Sequence, residues 1–174
     1  MILGIDIGNK GAIALIDSDK IVDIIDMPVV NNSIYRNKDG KPALIVDACK
    51  LSSYLKSVLP VSACVIEEPI TPFNKTPQSI VSTSKSAIGY GMVRACLEMQ
   101  GIKLINVKPA TWKKALEVSK DKQSSIDACY NIFGKSSKQF ITLKKHDGRA
   151  EASLIAWYGL KCLQITSSFE INTL

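Results

Sequence analysis

The sequence is poor in histidine and arginine: one histidine, His146, and three arginines in 174 residues. It has five cysteines but no CxxC pair, so nothing has the spacing of a structural zinc site. Cys49, Cys64, Cys96, Cys129 and Cys162 lie far apart among apolar neighbours. An odd number so placed reads as reduced core thiols in an intracellular, reducing compartment rather than as a disulfide framework. The N-terminus, MILGIDIGNKG, lacks a basic leader, and Asp6 interrupts its apolar run. That argues against a signal peptide or a membrane span. Repeats and low-complexity tracts are absent too, so a single domain over residues 1–174 is expected.

What is present is lysine. The formal charge is +6, from 22 basic and 16 acidic residues, and 19 of the basic residues are lysine. Such a balance draws a protein to polyanions in a salt-dependent way. Lysine serves diffuse phosphate attraction better than bidentate reading of bases. Apolar residues make up 46 %, enough for a substantial core.

The apolar patterning predicts strands at 2–7, 12–16 and 21–27, joined by the turns GNKG and DSDK as an antiparallel meander. Segment 29–42 reads as an exposed loop. Leu44, Ala48, Leu51 and Leu55 recur at helical spacing, giving a helix over 43–58. A short apolar strand at 63–66 runs into Glu67, and a loop at 70–78 carries Phe73. A long helix over 79–99, with Met92, Val93, Cys96 and Met99 on its apolar side, ends at Gly101; a strand at 102–107 follows. Short helices fill 110–132, a mobile basic segment 134–147, and a last helix runs from 148 to 163 before a loose tail from Ser167. The order implies an α/β fold, a mixed sheet covered by helices.

Three acidic features stand out. Asp6 lies between Ile5 and Ile7 in a strand that reads as central, and a buried carboxylate is costly unless it is paired or binds a metal. Glu67 ends a strand, where α/β folds commonly place their sites, whereas Glu68 points to the opposite face. Asp147 and Glu151, four apart, share a helix face; helix capping explains Asp147 as well as a metal does. Four oxygen-donor carboxylates suit Mg2+, with Mn2+ able to substitute. Two such ions about 4 Å apart activate water for phosphodiester cleavage. His146 could substitute for, or assist, one acidic ligand of that set.

The segments GIDIGNKGAIALI, CVIEEP and HDGRAEASLIAW, in this order over residues 1–163, resemble the RuvC family of Holliday-junction resolvases in its phage and organellar forms. VKPATWKKAL at 107–116 resembles the segment before the catalytic helix of those relatives. The resemblance implies a ribonuclease H-like fold: a five-stranded mixed sheet, three strands antiparallel and then parallel, flanked by helices. It implies a Mg-dependent crossover junction endodeoxyribonuclease whose two metal ions are held by Asp6, Glu67, Asp147 and Glu151. It also implies a homodimer acting on four-way junctions, in a cytoplasmic or nucleoid-associated setting, with viral or organellar origin left open. One departure matters: bacterial members usually close their motif with two aspartates three apart, whereas here the spacing is four and the last acid is glutamate. Gly89 and Gly91 would allow close helix packing, within one subunit or between two. Lys10, Lys113, Lys114, Lys122, Lys144, Lys145 and Arg149 are candidate phosphate contacts. Phe73 is a candidate for stacking on bases, and Trp112 reads as a core anchor.

Other functions remain open on sequence alone. One is a ribonuclease H-like nuclease acting on flap DNA or RNA–DNA hybrids. Another is a non-catalytic junction-binding protein. The GNKG turn also resembles the phosphate-binding hairpin of actin-like ATPases, a fold that normally needs more chain.

Overall fold

The computed structural model describes residues 1–36, 40–69 and 77–170. Strands β1 (Ile2–Asp6), β2 (Ala12–Asp17) and β3 (Lys20–Asp26) form the expected meander, paired from Ile2↔Ile16 to Asp6↔Ala12 and from Ala12↔Asp26 onward. A two-stranded sheet follows, β4 (Val29–Arg36) and β5 (Pro42–Val46), then helix α1 (Ala48–Ser57) and strand β6 (Ala63–Glu67). Helix α2 (Pro77–Met99) leads to β7 (Leu104–Val107). Helices α3 (Pro109–Ala115), α4 (Lys122–Phe133) and α5 (Lys135–Phe140), a 3-10 turn (Lys144–His146) and helix α6 (Asp147–Glu170) complete the chain. The main sheet has the order β3-β2-β1-β6-β7, antiparallel up to β1 and parallel beyond it. This is the ribonuclease H-like arrangement, and β1 is its middle strand.

Alternation along the strands divides the core in two. Leu3, Ile5, Cys64 and Ile66 face α1 and α2, where Leu51, Leu55, Val93 and Leu97 are buried with them. Fully burying a leucine such as Leu51 or Leu55 stabilises by about 1.5–3 kcal/mol. Ile2, Val65 and Val107 face the other way, against Trp112, Phe133 and the Ala150–Ala156 stretch of α6. By the same parity Asp6 and Glu67 lie on the α6 side.

Several expectations need correction. Segment 29–42 is largely a hairpin rather than a loop, with Val29 opposite Val46 and Asn31 opposite Leu44. Its polar strand VVNNSIYR forms a separate small sheet, so it lacks the apolar run of a core strand. The helix starts at Ala48, because Asp47 caps it by accepting a bond from the Lys50 N–H at 3.0 Å. Leu44 therefore sits 43 % exposed on β5 rather than on a helical stripe. The basic segment 134–147 contains α5 and the 3-10 turn, with Ser137 and Ile141 buried. Six residues are too few for a helical period to show in sequence. Met99, expected on the apolar side of α2, is 81 % exposed. Helix α6 continues through Ser167 to Glu170, where a loose tail was expected. Residues 171–174, and the loop residue Phe73, lie outside the described residues.

Candidate active site

Asp6 and Glu67 end neighbouring parallel strands, each one residue beyond the Ile5↔Ile66 pair. They therefore stand side by side at the carboxyl edge of the sheet, the usual crevice position in α/β folds. Helix α6 brings Asp147 and Glu151, about one turn apart, to the same place. Small residues permit the approach. A side chain at Gly4 would overlap the backbone of Ala152 and Ala156. One at Gly148 would overlap the Lys10 carbonyl and lie 3.2 Å from Asp6 Oδ2. The helix thus seats its first turn directly on the β1–β2 turn.

The charges of these acids act on one another. The Asp6 carboxyl is pushed up from 3.8 to about 7, first by burial, then by the charges of Glu151 and Glu67, with Asp147 adding to them and Lys113 opposing. Burial also raises Glu67; the Trp112 hydrogen bond pulls it down and Glu151 pushes it up again. Trp112 is fully buried, and its indole Nε1 donates to Glu67 Oε2 at 2.8 Å. Lys113 Nζ donates to Glu151 Oε1 at 2.8 Å, and Ser125 Oγ donates to the same oxygen at 3.1 Å. Lys122 Nζ donates to Asp147 Oδ2 at 2.5 Å. Among the described residues no salt bridge reaches Asp6.

The donor set suits a hard divalent cation: four carboxylates, all oxygen, whose mutual repulsion such an ion would relieve. Yet among the described residues no three acidic, histidine or cysteine side chains are gathered closely enough to hold one ion. Three of the carboxylates, Glu67, Asp147 and Glu151, are turned instead to the ammonium groups and donors of α3 and α4.

The remaining predicted residues divide. The Nδ1 atom of His146 accepts a bond from the Thr142 N–H at 3.2 Å, and its charged neighbours are Arg149, Asp26 and Lys145, not the four acids. Arg149 holds Asp26 through two nitrogens, at 2.6 and 2.9 Å, and donates to the Phe140 carbonyl at 2.9 Å, so its guanidinium is committed within the chain. Lys10, Lys114, Lys144 and Lys145 are exposed. Lys113 and Lys122, read as phosphate contacts, are bound to the acids. The Trp112 indole, Ser125 and Gly148 also take part in the site, and no motif in the sequence announces the first two. A Gly directly after Asp147 was the one usable signal.

A cleft of about 730 Å³ opens beside the acids, with Asp6 and Asp147 on its wall. Leu44 and Val46 of the unforeseen hairpin face Ile88 and Met92 of α2 across it, and Lys10 and Lys85 also line it. Gly89 borders this space, 3.6 Å from a methyl of Ile7 as measured from the position of an added Cβ; around Gly91 there is open room.

By sequence, no family model and no curated protein matches the chain. Solved structures match by shape. Thermus thermophilus RuvC in complex with a Holliday-junction substrate superposes with a TM-score of 0.56 at 15 % identity, over 90 % of each chain. The fold is shared with Holliday-junction resolvases. A second T. thermophilus RuvC structure gives 0.54 at 13 % identity, over 92 % of this chain and 95 % of that one. The fowlpox virus Holliday junction resolvase gives 0.52 at 15 % identity, over 93 % and 98 %. Among the described residues no helix is long and apolar enough to cross a membrane.

Proposed function

We propose that the protein is a structure-selective endonuclease of the RuvC resolvase type, a homodimer that hydrolyses phosphodiesters in four-way DNA junctions with Mg2+, or Mn2+ in its place. The observation that carries this is the meeting of Asp6 and Glu67 at the central strand ends with Asp147 and Glu151 of α6, on a fold shared nearly end to end with resolvases. Asp6, Glu67, Asp147 and Glu151 would hold the ions. Bound there, divalent cations supply an activated water and stabilise the leaving oxygen. The chain's own part is to fix the acids: two by rigid strand ends, two by a helix locked onto β1 through Gly4 and Gly148. Trp112 orients Glu67, and the buried face of α6 keeps water from the back of the centre. Lys10 and Lys85 along the cleft, with Lys144 and Lys145 nearby in sequence to Asp147, supply phosphate attraction.

The test is a comparison of four-way junction, flap, RNA–DNA hybrid and linear duplex under the same Mg2+ concentration. Paired nicks placed symmetrically on the junction, with little cutting of the others, support the reading. Preferred cutting of flap or hybrid moves the protein to another ribonuclease H-like activity, and binding without cutting makes it a junction-binding protein.

A further inference from the structure

We propose that Lys113 and Lys122 are placeholder cations, which neutralise the acidic centre of the metal-free protein and must leave Glu151 and Asp147 when divalent ions bind. The proposal rests on the metal-dependent reading above and concerns how that same site is kept folded and loaded. Several carboxylates in one half-buried site repel one another, and a buried charge without a counter-charge is strongly unfavourable. The two ammonium groups answer this from one side of the centre. Glu151 is only 19 % exposed and Asp147 22 %, and each takes its lysine through a short bond.

The two lysines differ in how firmly they are held. Lys113 is 25 % exposed and lies 5.1 Å from the centre of the Trp112 ring, the residue that also binds Glu67. Its charge acts on Asp6 and Glu67 as well as on Glu151. Lys122 is 70 % exposed and reaches Asp147 on a solvated stem, so it can swing away at little cost. Glu151 Oε1 already accepts from both Lys113 and Ser125. An ion that uses that oxygen has to displace Lys113. With Glu151 and Asp147 committed to lysines, no three acidic, histidine or cysteine side chains are gathered closely enough to hold one ion among the described residues.

Competition gives a signature that a purely structural role does not. If Lys113 merely shaped the site, removing it would loosen the acids and weaken metal binding. If it is a placeholder, Lys113→Met destabilises the metal-free protein and tightens metal binding together. The experiment is calorimetric titration of Mn2+ at low salt, with thermal melts in EDTA, on wild type, Lys113→Met, Lys113→Arg and Lys122→Met. We expect Lys113→Met to melt roughly 3–6 °C lower without metal and to bind Mn2+ roughly tenfold tighter. Lys113→Arg keeps the competing charge and stays near wild-type affinity. Lys122→Met tightens binding by about threefold, since its pair is more exposed, and it carries the test should Lys113→Met not fold. Unchanged or weaker Mn2+ binding in the methionine variants, with wild type binding normally, overturns the proposal and leaves the nuclease reading standing. No Mn2+ binding by any form, wild type included, overturns both.

Discussion

Replacing Asp6 with asparagine removes a charge that folding disfavours, and the size of the effect follows from its surroundings. Folding raises this carboxyl from 3.8 to about 7, chiefly by burial and by the charges of Glu151 and Glu67. The folded protein therefore holds a proton more tightly than the unfolded chain between those values. Stability of the metal-free protein falls as pH rises through this window, and the full penalty is present above about pH 7. At 1.36 kcal/mol per pH unit the whole rise corresponds to about 4 kcal/mol. From pH 5 to pH 8 the wild type should lose about 2–3 kcal/mol, whereas Asp6→Asn cannot lose this contribution. For a chain of this size that is roughly 5–10 °C of Tm. Thermal melts in EDTA at pH 5, 6, 7 and 8 measure it directly. The variant should gain on the wild type steadily toward pH 8. Adding Mg2+ at pH 8 should raise the wild-type Tm and leave the variant nearly unmoved. Parallel pH curves for the two proteins would refute the reasoning, because they would mean that the Asp6 charge is not confined among the other acids.

Further outcomes follow from the packing around the centre. Gly148→Ala should cost about 1–3 kcal/mol, as overpacking does, and should lower nicking more than it lowers stability, since the first turn of α6 must lift off the Lys10–Gly11 backbone; chemical denaturation and a nicking assay separate the two. Trp112→Phe keeps the ring but takes the donor from Glu67, so the Glu67 carboxyl rises further and the acidic limb of the pH–activity profile moves to higher pH. Arg149→Lys should lower stability by about 0.5–1 kcal/mol through the lost fork to Asp26, without altering the salt dependence of junction binding. Lys144→Gln and Lys145→Gln should each reduce that salt slope by about 1 and leave the melting curve in place.

Much of this molecule was legible in its sequence because the informative residues obey short-range rules. The meander and the central place of the strand that carries Asp6 follow from alternation along strands, and the structure agrees with both; Glu67, preferred to Glu68 for continuity with its strand, is the last residue of β6. Gly101 closes α2 with a positive φ of 67°, as a glycine after a helix should. What escaped was set by partners that leave no mark on the spacing of apolar residues. The strand at 29–36 gains its identity from pairing with 42–46 and from the cleft it walls, neither of which leaves an apolar period. Lys113 and Arg149 look alike as cations beside an acidic motif; only folding shows one against Glu151 and the other against Asp26, 123 residues earlier in the chain. Trp112 was read as a core anchor, and it is one, but its indole N–H has a second task that no spacing announces.

The central claim is that four carboxylates act as one metal-dependent centre on branched DNA. The most direct measurement is nicking of a synthetic mobile four-way junction with and without Mg2+ by wild type, Asp6→Asn and Glu151→Gln, with junction binding measured on the same samples. The account predicts Mg2+-dependent nicking by wild type, and loss of nicking in both variants with binding retained. Wild-type nicking rates in either variant, or nicking that persists in EDTA, would contradict it.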